Sequence, residues 1–479
     1  MRKITDCLDE YSPKCYNVRE RRESMKSKST LLEGSIWKGM LLFAMPILLG
    51  QVFQQLYNTA DAFIVGKFRS GDEYAAVTST GSLAFLLVGF FGGIAMGAGV
   101  VVARYFGAGD TVKLRKTVHT TVIFGICAGL FLSVLGVLAT PILLRWMDTP
   151  PEILPYSVQY FRFYFAGILA TVMYNLCMGI LRAVGDSKSP LYYLILSSVL
   201  NIILDLLFIA VCGWGVWAVA LATTISQFLS MFLCMMKLFR TNDVYRLSMK
   251  EMRIDGFHLR EIIRYGLPSG IQNSIISFAN VIVQTNINSF GKETVSGCGT
   301  FAKLEGFAFL PVTCFTMALT TFVSQNLGAR QYDRAKKGSR FGLICAVLMA
   351  ELIGALMIVF AEPLMELFID NDPGAVMVGV KQTNVEALFF GCLALSHCLA
   401  AVLRGAGKPM IPMFVMLGAW CVLRVAYISV LVPMVGESWV IFSAYPVTWT
   451  VSSIIYLIFY FKSDWLHGFE KKESKKLAL

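Results

Sequence analysis

Long apolar blocks alternate with short polar or basic segments along the chain. An α-helix needs about twenty apolar residues to cross the hydrocarbon core of a bilayer, and these blocks reach that length. They lie near residues 39–66, 75–103, 118–140, 156–181, 190–212, 214–236, 265–290, 295–322, 341–361, 378–402, 410–433 and 438–461. The short alternating segments of a membrane β-barrel are not found. The pattern therefore predicts an all-α polytopic membrane protein with twelve transmembrane helices.

Composition supports the same class of protein. Of the 479 residues, 56% are hydrophobic and only 15% are charged, whereas a soluble domain carries about 25% charged residues. No polar stretch is long enough to form a soluble domain of its own. The predicted regions are an N-terminal tail (1–38), a first lobe (39–236), a linker (237–264), a second lobe (265–461) and a C-terminal tail (462–479).

The formal charge of +11 suggests nucleic acid as a partner, but the placement of the cations argues against it. If the N-terminus is inside and the chain alternates across twelve helices, 34 of the 42 Lys and Arg fall in inner segments and four in outer loops. Such a bias marks the cytoplasmic loops of a membrane protein. We therefore expect both termini in the cytoplasm.

The residues that would indicate an enzyme are missing. The 12 Cys form no C-x-x-C pair and suit small apolar positions inside helices. No H-E-x-x-H motif and no Ser, His and Asp in register for nucleophilic catalysis are found. We predict that the chain is not an enzyme and that it binds no organic cofactor.

An internal repeat divides the chain into two halves. Pro46 and Pro268 are 222 residues apart, and so are Arg182 and Arg404. Leu181 and Leu403, Gly185 and Gly407, Pro190 and Pro412, and Asn58 and Asn280 share that offset, while Gly107 and Gly328 differ by 221. Because each half holds six helices, an even number, both halves enter the membrane from the same side. The repeat predicts two pseudo-symmetric six-helix lobes in parallel, arranged as a V-shaped transporter that rocks between two states.

Two carboxylates lie inside predicted helices of the first lobe. Asp61 shares a helix face with Asn58, three residues earlier, and Asp205 shares one with Asn201, four residues earlier. Hydroxyl and amide groups of the sixth helix, Thr223, Thr224, Ser226 and Gln227, add further oxygen atoms. Oxygen ligands suit a hard cation such as Na⁺, and two neighbouring buried carboxylates cannot both stay charged. Hydrogen bonding between helices is the competing explanation for Asn201, Thr223 and Ser226 taken singly. For an embedded carboxylate, a functional role is the default.

The second lobe has a different set of polar residues. Its first helix contains no acid or base between Tyr265 and Phe290. We expect Lys303 and Arg424 to form ion pairs between helices, and Glu305 to join them or to contact a cationic substrate. Residues predicted to line the substrate cavity are Gln54, Asn58, Gln284 and Glu305.

Proline interrupts the hydrogen-bonding pattern of the first helix of each lobe. Pro46 lies 15 residues before Asp61, about four helical turns. A proline frees one backbone carbonyl and permits a kink. Pro46 is therefore a candidate hinge, and a static kink is the alternative.

Several of these segments together resemble the multidrug and toxic compound extrusion family of secondary transporters, in its bacterial branch. They include "MPILLGQVFQQLYNTADAFIVGKF", "YFGAGD", "NLGARQYDRA", "LRAVGDSKSP", "LRGAGKPMIP", "LNIILDLLFI" and "ALATTISQ". The resemblance covers nearly everything from about Ser35 to Phe461. It implies antiport, in which an inward Na⁺ or H⁺ gradient drives export of amphipathic, often cationic, drugs or metabolites.

The resemblance also implies a cation site in the first lobe. The family's pattern of an Asp in the first helix, an Asn and an Asp four apart in the fifth and a Thr in the sixth matches Asp61, Asn201, Asp205 and Thr223. These four residues are the candidate Na⁺ or H⁺ site. Relatives with a site in the second lobe use an acid in the seventh helix, which is missing here. From the resemblance we also expect a bacterial cytoplasmic membrane as the location, membrane lipids as partners and a monomeric state.

Other classes of membrane protein remain as alternatives. A lipid-linked oligosaccharide flippase of the same superfamily would need a strongly basic cavity for pyrophosphate, and the predicted helices carry few cations. A facilitator-type transporter would have different loop motifs. The two-lobe repeat disfavours a receptor or a channel.

Overall fold

A computed structural model describes residues 30–146, 149–369 and 372–469, without the side chains of residues 62, 72, 74, 75 and 78–87. The predicted tails therefore lie partly outside the described residues. The first six helical spans are α1 (Ile36–Phe68), α2 (Gly71–Ala108), α3 (Thr111–Trp146), α4 (Leu154–Ala166 and Ile168–Ala183), α5 (Lys188–Asp205, continued by a π-helical turn, Leu206–Val211) and α6 (Trp217–Arg240). They form the N-lobe.

Six further spans form the C-lobe. They are α7 (Gly256–Asn288), α8 (Lys292–Gly328), α9 (Tyr332–Val359), α10 (Pro373–Glu386, Ala387–Phe389 and Phe390–Gly405), α11 (Met410–Met416, a π-helical Leu417–Leu423 and Arg424–Val435) and α12 (Trp439–Lys462). Short helices Ala361–Glu366 and Met249–Glu251 lie between spans. The exact limits of the predicted tails, lobes and linker stay a prediction.

Ten of these spans are long and apolar enough to cross a bilayer, and the two bent pieces of α4 together make an eleventh. The remaining span, α7, is 33 residues long but carries a row of carboxamides, including Asn273, Asn280 and Gln284. These carboxamides lower the hydropathy of the helix, and Asn280 and Gln284 among them are exposed in the isolated chain. The predicted all-α membrane fold with twelve helices is confirmed.

The two halves share local structure as well as sequence. The pieces of α4 meet at Gly167 with a bend of 45°. In α10 the break is the short 3₁₀ segment Ala387–Phe389, at the position that the 222-residue offset predicts. Gly185 and Gly407 both have positive φ, 96° and 78°, a conformation that glycine adopts without strain. The repeat is therefore a repeat of backbone geometry.

Large apolar side chains cover the outside of the bundle. Phe131 and Leu138 of α3, and Leu348 and Leu352 of α9, are each more than half exposed in the isolated chain. In water such surfaces would promote aggregation. In a bilayer they contact lipid, and the buried polar residues face the interior of the lobes instead.

The lobes pack together through glycines of α2 and α7. A Cβ atom built on Gly97 would overlap the backbone of Gly266, and one on Gly93 would overlap the backbone of Gly270. Without side chains at these positions, the two helices approach backbone to backbone, as small residues allow in membranes. The contact lies toward the end of the bundle where α1, α3, α5, α7, α9 and α11 begin. We call this the basic end.

Polar contacts hold the same seam at the basic end. Arg104 of α2 lies 3.6 Å from the Glu261 carboxylate of α7, and the Tyr105 hydroxyl donates a hydrogen bond to Glu261. The Gln325 amide of α8 donates to the Ala183 carbonyl of α4 over 2.7 Å. These groups are buried, and buried polar groups must be hydrogen-bonded. They therefore hold the lobes in a defined register.

Chain segments that lead into each lobe dock on the opposite lobe. The segment before α1 offers three carbonyls to Arg334 of α9, at Leu31, Glu33 and Gly34, over 2.8–3.2 Å. The segment before α7 docks on α3: the Ser248 amide donates to His119. Each lobe is thus tied to the other by the chain that enters it.

The C-terminal segment packs against the seam at the basic end. Phe469 is only 5% exposed. Its ring lies 4.5 Å from the Arg104 guanidinium and packs edge-on to Tyr265. Arg104 belongs to the N-lobe and Tyr265 to the C-lobe, so this one ring contacts both.

We expect Gly97→Val to separate α2 from α7. The new side chain must displace backbone, and overpacking of this kind costs about 1–3 kcal/mol. Tm of the purified protein should fall, and a cysteine introduced at Ser269, which is 3% exposed, should react faster with a thiol reagent. Gly92→Val is the matched control, because nothing lies within 4 Å of its Cβ position. Equal effects of the two variants would contradict the close packing of α2 against α7 at Gly97.

Asp255 caps α7 and joins it to α3. Its carboxylate accepts hydrogen bonds from the Phe257 and His258 amides and lies 3.3 Å from the Lys116 ammonium. The His258 side chain, the helix N–H group and Lys116 lower the pKa of Asp255 from 3.8 to about 2. The contribution of the Asp255 carboxylate to folding stability is therefore present above about pH 4 and is lost as the pH falls toward 2.

Asp255→Ala should destabilise the protein by about 1 kcal/mol at neutral pH, because the cap is lost. Asp255→Asn keeps a capping oxygen, and it should lose less. Thermal unfolding of wild type and the two variants at one pH ranks their stabilities. If alanine and asparagine are equivalent, the cap is not what stabilises this helix start.

Candidate functional site

Two buried carboxyl groups meet inside the N-lobe. Asp205 of α5 is fully buried, and its carboxyl faces that of Asp61 of α1 at hydrogen-bonding range. Neither oxygen of Asp205 accepts a hydrogen bond from any described residue, and Oδ1 of Asp61 is also without a donor. When both are ionised, the two carboxylates can only accept hydrogen bonds, so neither can satisfy the other.

The register of the helices explains this meeting. A Cβ atom on Gly50 of α1 would contact Leu191 and Leu194 of α5. The helices run in parallel, and eleven residues further, about three turns, α1 reaches Asp61 and α5 reaches Asp205. A small residue at position 50 lets the helices approach, which brings the carboxyls together.

Other buried polar groups of α5 and α6 have no hydrogen-bond partner among the described residues. Asn201 is 2% exposed, and Ser198 and Ser226 are 5% exposed. Neither polar atom of the Asn201 amide has a partner among the described residues, and the same holds for the Ser198 and Ser226 hydroxyls. Buried polar groups normally find partners. Unpartnered groups occur in both lobes, and those of α5 share a helix with Asp205.

Thr223 lies on the face of α6 that also carries Val219 and Gln227, one turn earlier and one turn later. Val219 belongs to the same buried cluster as Val65 of α1, and Gln227 lies beside Tyr57 of α1. The assignment of Asp61, Asn201, Asp205 and Thr223 to one cation site stays a prediction.

Tyrosines that sequence reasoning missed enclose the pair. Tyr57 lies one turn before Asp61 and faces the side chains of Gln54 and Gln227. Tyr160 and Tyr164 of α4 stack on each other with ring centroids 6.4 Å apart, and Tyr160 lies near both carboxyls. Their spacing of four residues was a usable signal.

The pair offers only carboxyl oxygen atoms as ligands. Among the described residues, no three His, Cys, Asp or Glu side chains are grouped to hold a metal ion. Two carboxylates with amide and hydroxyl oxygens instead suit a proton or a hard monovalent cation. Either one would remove the repulsion between the two acceptors.

The C-lobe holds a second buried ionic cluster. Glu386 of α10 is fully buried and its carboxylate accepts a hydrogen bond from the Gln382 amide over 2.8 Å. Glu305 of α8 and Arg424 of α11 lie within electrostatic reach of it. Glu386 lies inside the predicted helix 378–402, but nothing in the sequence pattern pairs it with Glu305.

Other predicted residues lie elsewhere. Lys303 is exposed, with its ammonium 6.0 Å from the Phe368 ring centroid, so the expected pairing with Glu305 is not observed. Gln284 is exposed and donates to Asn288, and Asn58 is also exposed. α1 continues as one helix past Pro46. The hinge role of Pro46 stays a prediction.

Two six-helix lobes that meet at one end, each with a buried ionic cluster, define a membrane transporter built on a duplicated unit. The MatE family model matches this chain twice, at residues 46–207 and 268–429. The two matches start 222 residues apart and cover more than half of the chain. The chain belongs to this family, the multidrug and toxic compound extrusion transporters, and the predicted family is confirmed.

Curated relatives and a solved structure agree with this assignment. The chain is 27% identical to "Probable multidrug resistance protein YoeA" of Bacillus subtilis, over 79% of this chain and 83% of that protein. It is 24% identical to the "FAD transporter" of Shewanella oneidensis, over 81% and 86%. A solved multidrug resistance MATE family transporter, in an outward-facing conformation, superposes with a TM-score of 0.85 at 21% identity, over 90% and 97%. At that identity the superposition shows the fold alone.

Proposed function

We propose that the protein is a secondary antiporter that exports amphipathic, often cationic, small molecules in exchange for Na⁺ or H⁺. The contact between the Asp61 and Asp205 carboxyls, inside a lobe and without a donor, carries the proposal. Two carboxylates at this distance are stable only when a positive charge lies between them. The pair must therefore bind a proton or a cation, and release of that charge destabilises the arrangement.

Exchange follows if binding and release occur on opposite sides of the membrane. A bound cation removes the repulsion that otherwise separates α1 from α5. The two states of the pair then favour two positions of α1, for which Pro46 offers a bend. An ion can shift a conformational equilibrium only by its differential affinity for the two states. Direct neutralisation of a carboxyl pair supplies such a difference.

The substrate class is proposed from the relatives and from the C-lobe. Several relatives are named as multidrug resistance or multidrug export proteins. In the C-lobe, Glu305 and Glu386 are acids near the side chain of Tyr445. Carboxylates together with aromatic rings suit an amphipathic cation. Gln54 and Gln284 are proposed as further cavity contacts.

Orientation follows from the charge bias. We place the basic end in the cytoplasm, since short cytoplasmic loops are rich in Lys and Arg. In that orientation the described arrangement is sealed toward the cytoplasm by the α2–α7 seam. We further propose a bacterial plasma membrane and a monomer as the working unit.

Asp61→Asn and Asp205→Asn should each abolish gradient-driven transport, because one neutral amide removes the need for a cation. The assay uses proteoliposomes loaded with a fluorescent cationic dye, with a Na⁺ gradient or a pH gradient applied separately. Asp110→Asn is the matched control, because Asp110 lies at an exposed turn and pairs with Lys113 at 3.1 Å. It should transport like wild type.

Two results would overturn the proposal. Full transport by Asp205→Asn would show that the carboxyl pair is structural. Failure of both gradients to move dye, together with flipping of labelled lipid-linked oligosaccharide by the same vesicles, would favour the flippase alternative.

Thr223→Ala should separate the two possible ions. A hydroxyl oxygen is a ligand for Na⁺, whereas a proton shared by two carboxyls does not need it. With Na⁺ as the driving ion, alanine should raise the Na⁺ concentration for half-maximal transport at least several-fold, and Thr223→Ser should restore it. With H⁺ as the driving ion, the pH dependence should be unchanged. A loss that serine does not restore would exclude the hydroxyl as a ligand.

A further inference from the structure

The chain after α12 folds back onto the basic end of its own lobe. The Lys408 ammonium, between α10 and α11, donates a hydrogen bond to the Asp464 carbonyl over 2.7 Å. The Trp465 indole is 4% exposed, donates to the Tyr460 carbonyl over 3.1 Å and stacks on the Tyr460 ring with centroids 5.3 Å apart. Residues 463–469, which we call the C-terminal strap, are therefore fixed to the C-lobe.

The end of the strap fits the loop between α10 and α11. Gly407 of this loop has a φ of 78°, and a Cβ atom built on it would overlap the Phe469 ring. A Cβ atom on Gly468 would in turn overlap the Ala406 carbonyl. Glycine at 407 thus allows the left-handed turn of the loop, and it also leaves room for the aromatic ring.

The last side chain of the strap reaches the other lobe. The Phe469 ring lies 4.5 Å from the Arg104 guanidinium of α2 and packs edge-on to Tyr265 of α7. Arg104 is 7% exposed, and a cation shielded from water is attracted more strongly to an aromatic face than an exposed one. The same guanidinium lies 3.6 Å from the Glu261 carboxylate of α7. Phe469 therefore joins a segment of the C-lobe to the cation that the N-lobe contributes to the seam.

The internal repeat shows that this fold-back belongs to the design of the lobe. α6 ends at Arg240 and α12 ends at Lys462, 222 residues later. The same offset places Phe469 opposite Leu247. Leu247 is 1% exposed, and its amide donates to the Leu238 carbonyl over 2.9 Å, so the chain folds back after α6 as well. The C-lobe copy differs in carrying a ring that can stack on a guanidinium.

We propose that the C-terminal strap is a latch that holds the lobes together at the basic end, with the Phe469 ring on Arg104 as its releasable contact. Arg104 moves with the N-lobe, whereas the strap moves with the C-lobe. Separation of the lobes at this end must therefore part Phe469 from the guanidinium. The inference rests on the proposed function for a second arrangement of the lobes, open at the basic end, and it does not depend on which ion is coupled.

Two introduced cysteines report on the two ends of α7 in the purified, full-length protein in detergent. Ser269→Cys reports on the seam, because Ser269 is 3% exposed. Gln284→Cys reports on the other half of the helix, where Gln284 is exposed. Modification by a soluble thiol reagent is measured at each introduced cysteine by mass spectrometry, since the chain also has 12 native Cys.

Phe469→Ala should raise the modification rate at position 269 several-fold and lower the rate at position 284, because the far end closes as the basic end opens. Phe461→Ala is the matched control. It removes the same side chain from α12 at a position that is 73% exposed, and both rates should stay as in wild type. If Phe469→Ala does not fold, Phe469→Leu supplies the residue of the first lobe, and it should shift both rates in the same directions.

Three results separate the latch from simple packing and from the proposed function. If Phe469→Ala behaves like Phe461→Ala, the latch is refuted, and the carboxyl pair is still judged by Asp205→Asn. If both rates rise, the missing ring loosens the fold and the latch is refuted as well. If neither gradient drives transport by wild type, the proposed function fails, and opposite shifts of the two rates would still establish the latch.

Discussion

The structure depends on one close contact, the backbone-to-backbone packing of α2 against α7 at Gly93, Gly97, Gly266 and Gly270. In a bilayer, lipid surrounds each lobe as well as any apolar partner would, so hydrophobic burial alone does not hold lobes together. At the glycine positions, the backbones of α2 and α7 approach closely enough for dispersion attraction between their atoms. The ion pair of Arg104 with Glu261 adds a polar anchor. A seam of this kind is stable without side-chain interlocking, and it can therefore separate without unfolding either lobe.

The two lobes share a fold but differ in which helices carry their acidic residues. The same six-helix unit, with breaks at matching points of its fourth helix, contains two acids in both copies but from different helices. In the N-lobe the acids come from α1 and α5. In the C-lobe they come from α8 and α10, with Arg424 between aromatic rings of α11 and α12. Duplication thus kept the scaffold and changed the charges. Acids on different helices in the two lobes suit a division of tasks between ion and substrate.

Much of this arrangement was predictable from the sequence, and the reasons for the remainder are physical. Hydropathy predicts the helices because the bilayer imposes their length, and the offset between Gly185 and Gly407 predicts the repeat because both positions need positive φ. The pairing of Asp61 with Asp205 followed from helix faces and family resemblance. The 45° bend of α4 did not, since it arises where Thr224 of α6 packs directly on Gly167. Nor did the surroundings of Arg424, because only tertiary packing places its guanidinium against the rings of Trp420 and Tyr445.

The first helix connects the carboxyl pair with the seam. α1 carries Asp61 near its far end, and at its basic end Met40 is fully buried at the position where a Cβ on Gly342 of α9 would contact it. The residues just before the helix bind Arg334 of the C-lobe through their carbonyls. Pro46 lies between these two attachments and removes one backbone hydrogen bond. A charge that moves α1 against α5 therefore acts on a helix whose other end is fixed to the opposite lobe. A rigid α1 would transmit such a movement directly to the seam. A bend at Pro46 would absorb part of the movement. The stiffness of α1 therefore sets how strongly ion binding is coupled to separation of the lobes.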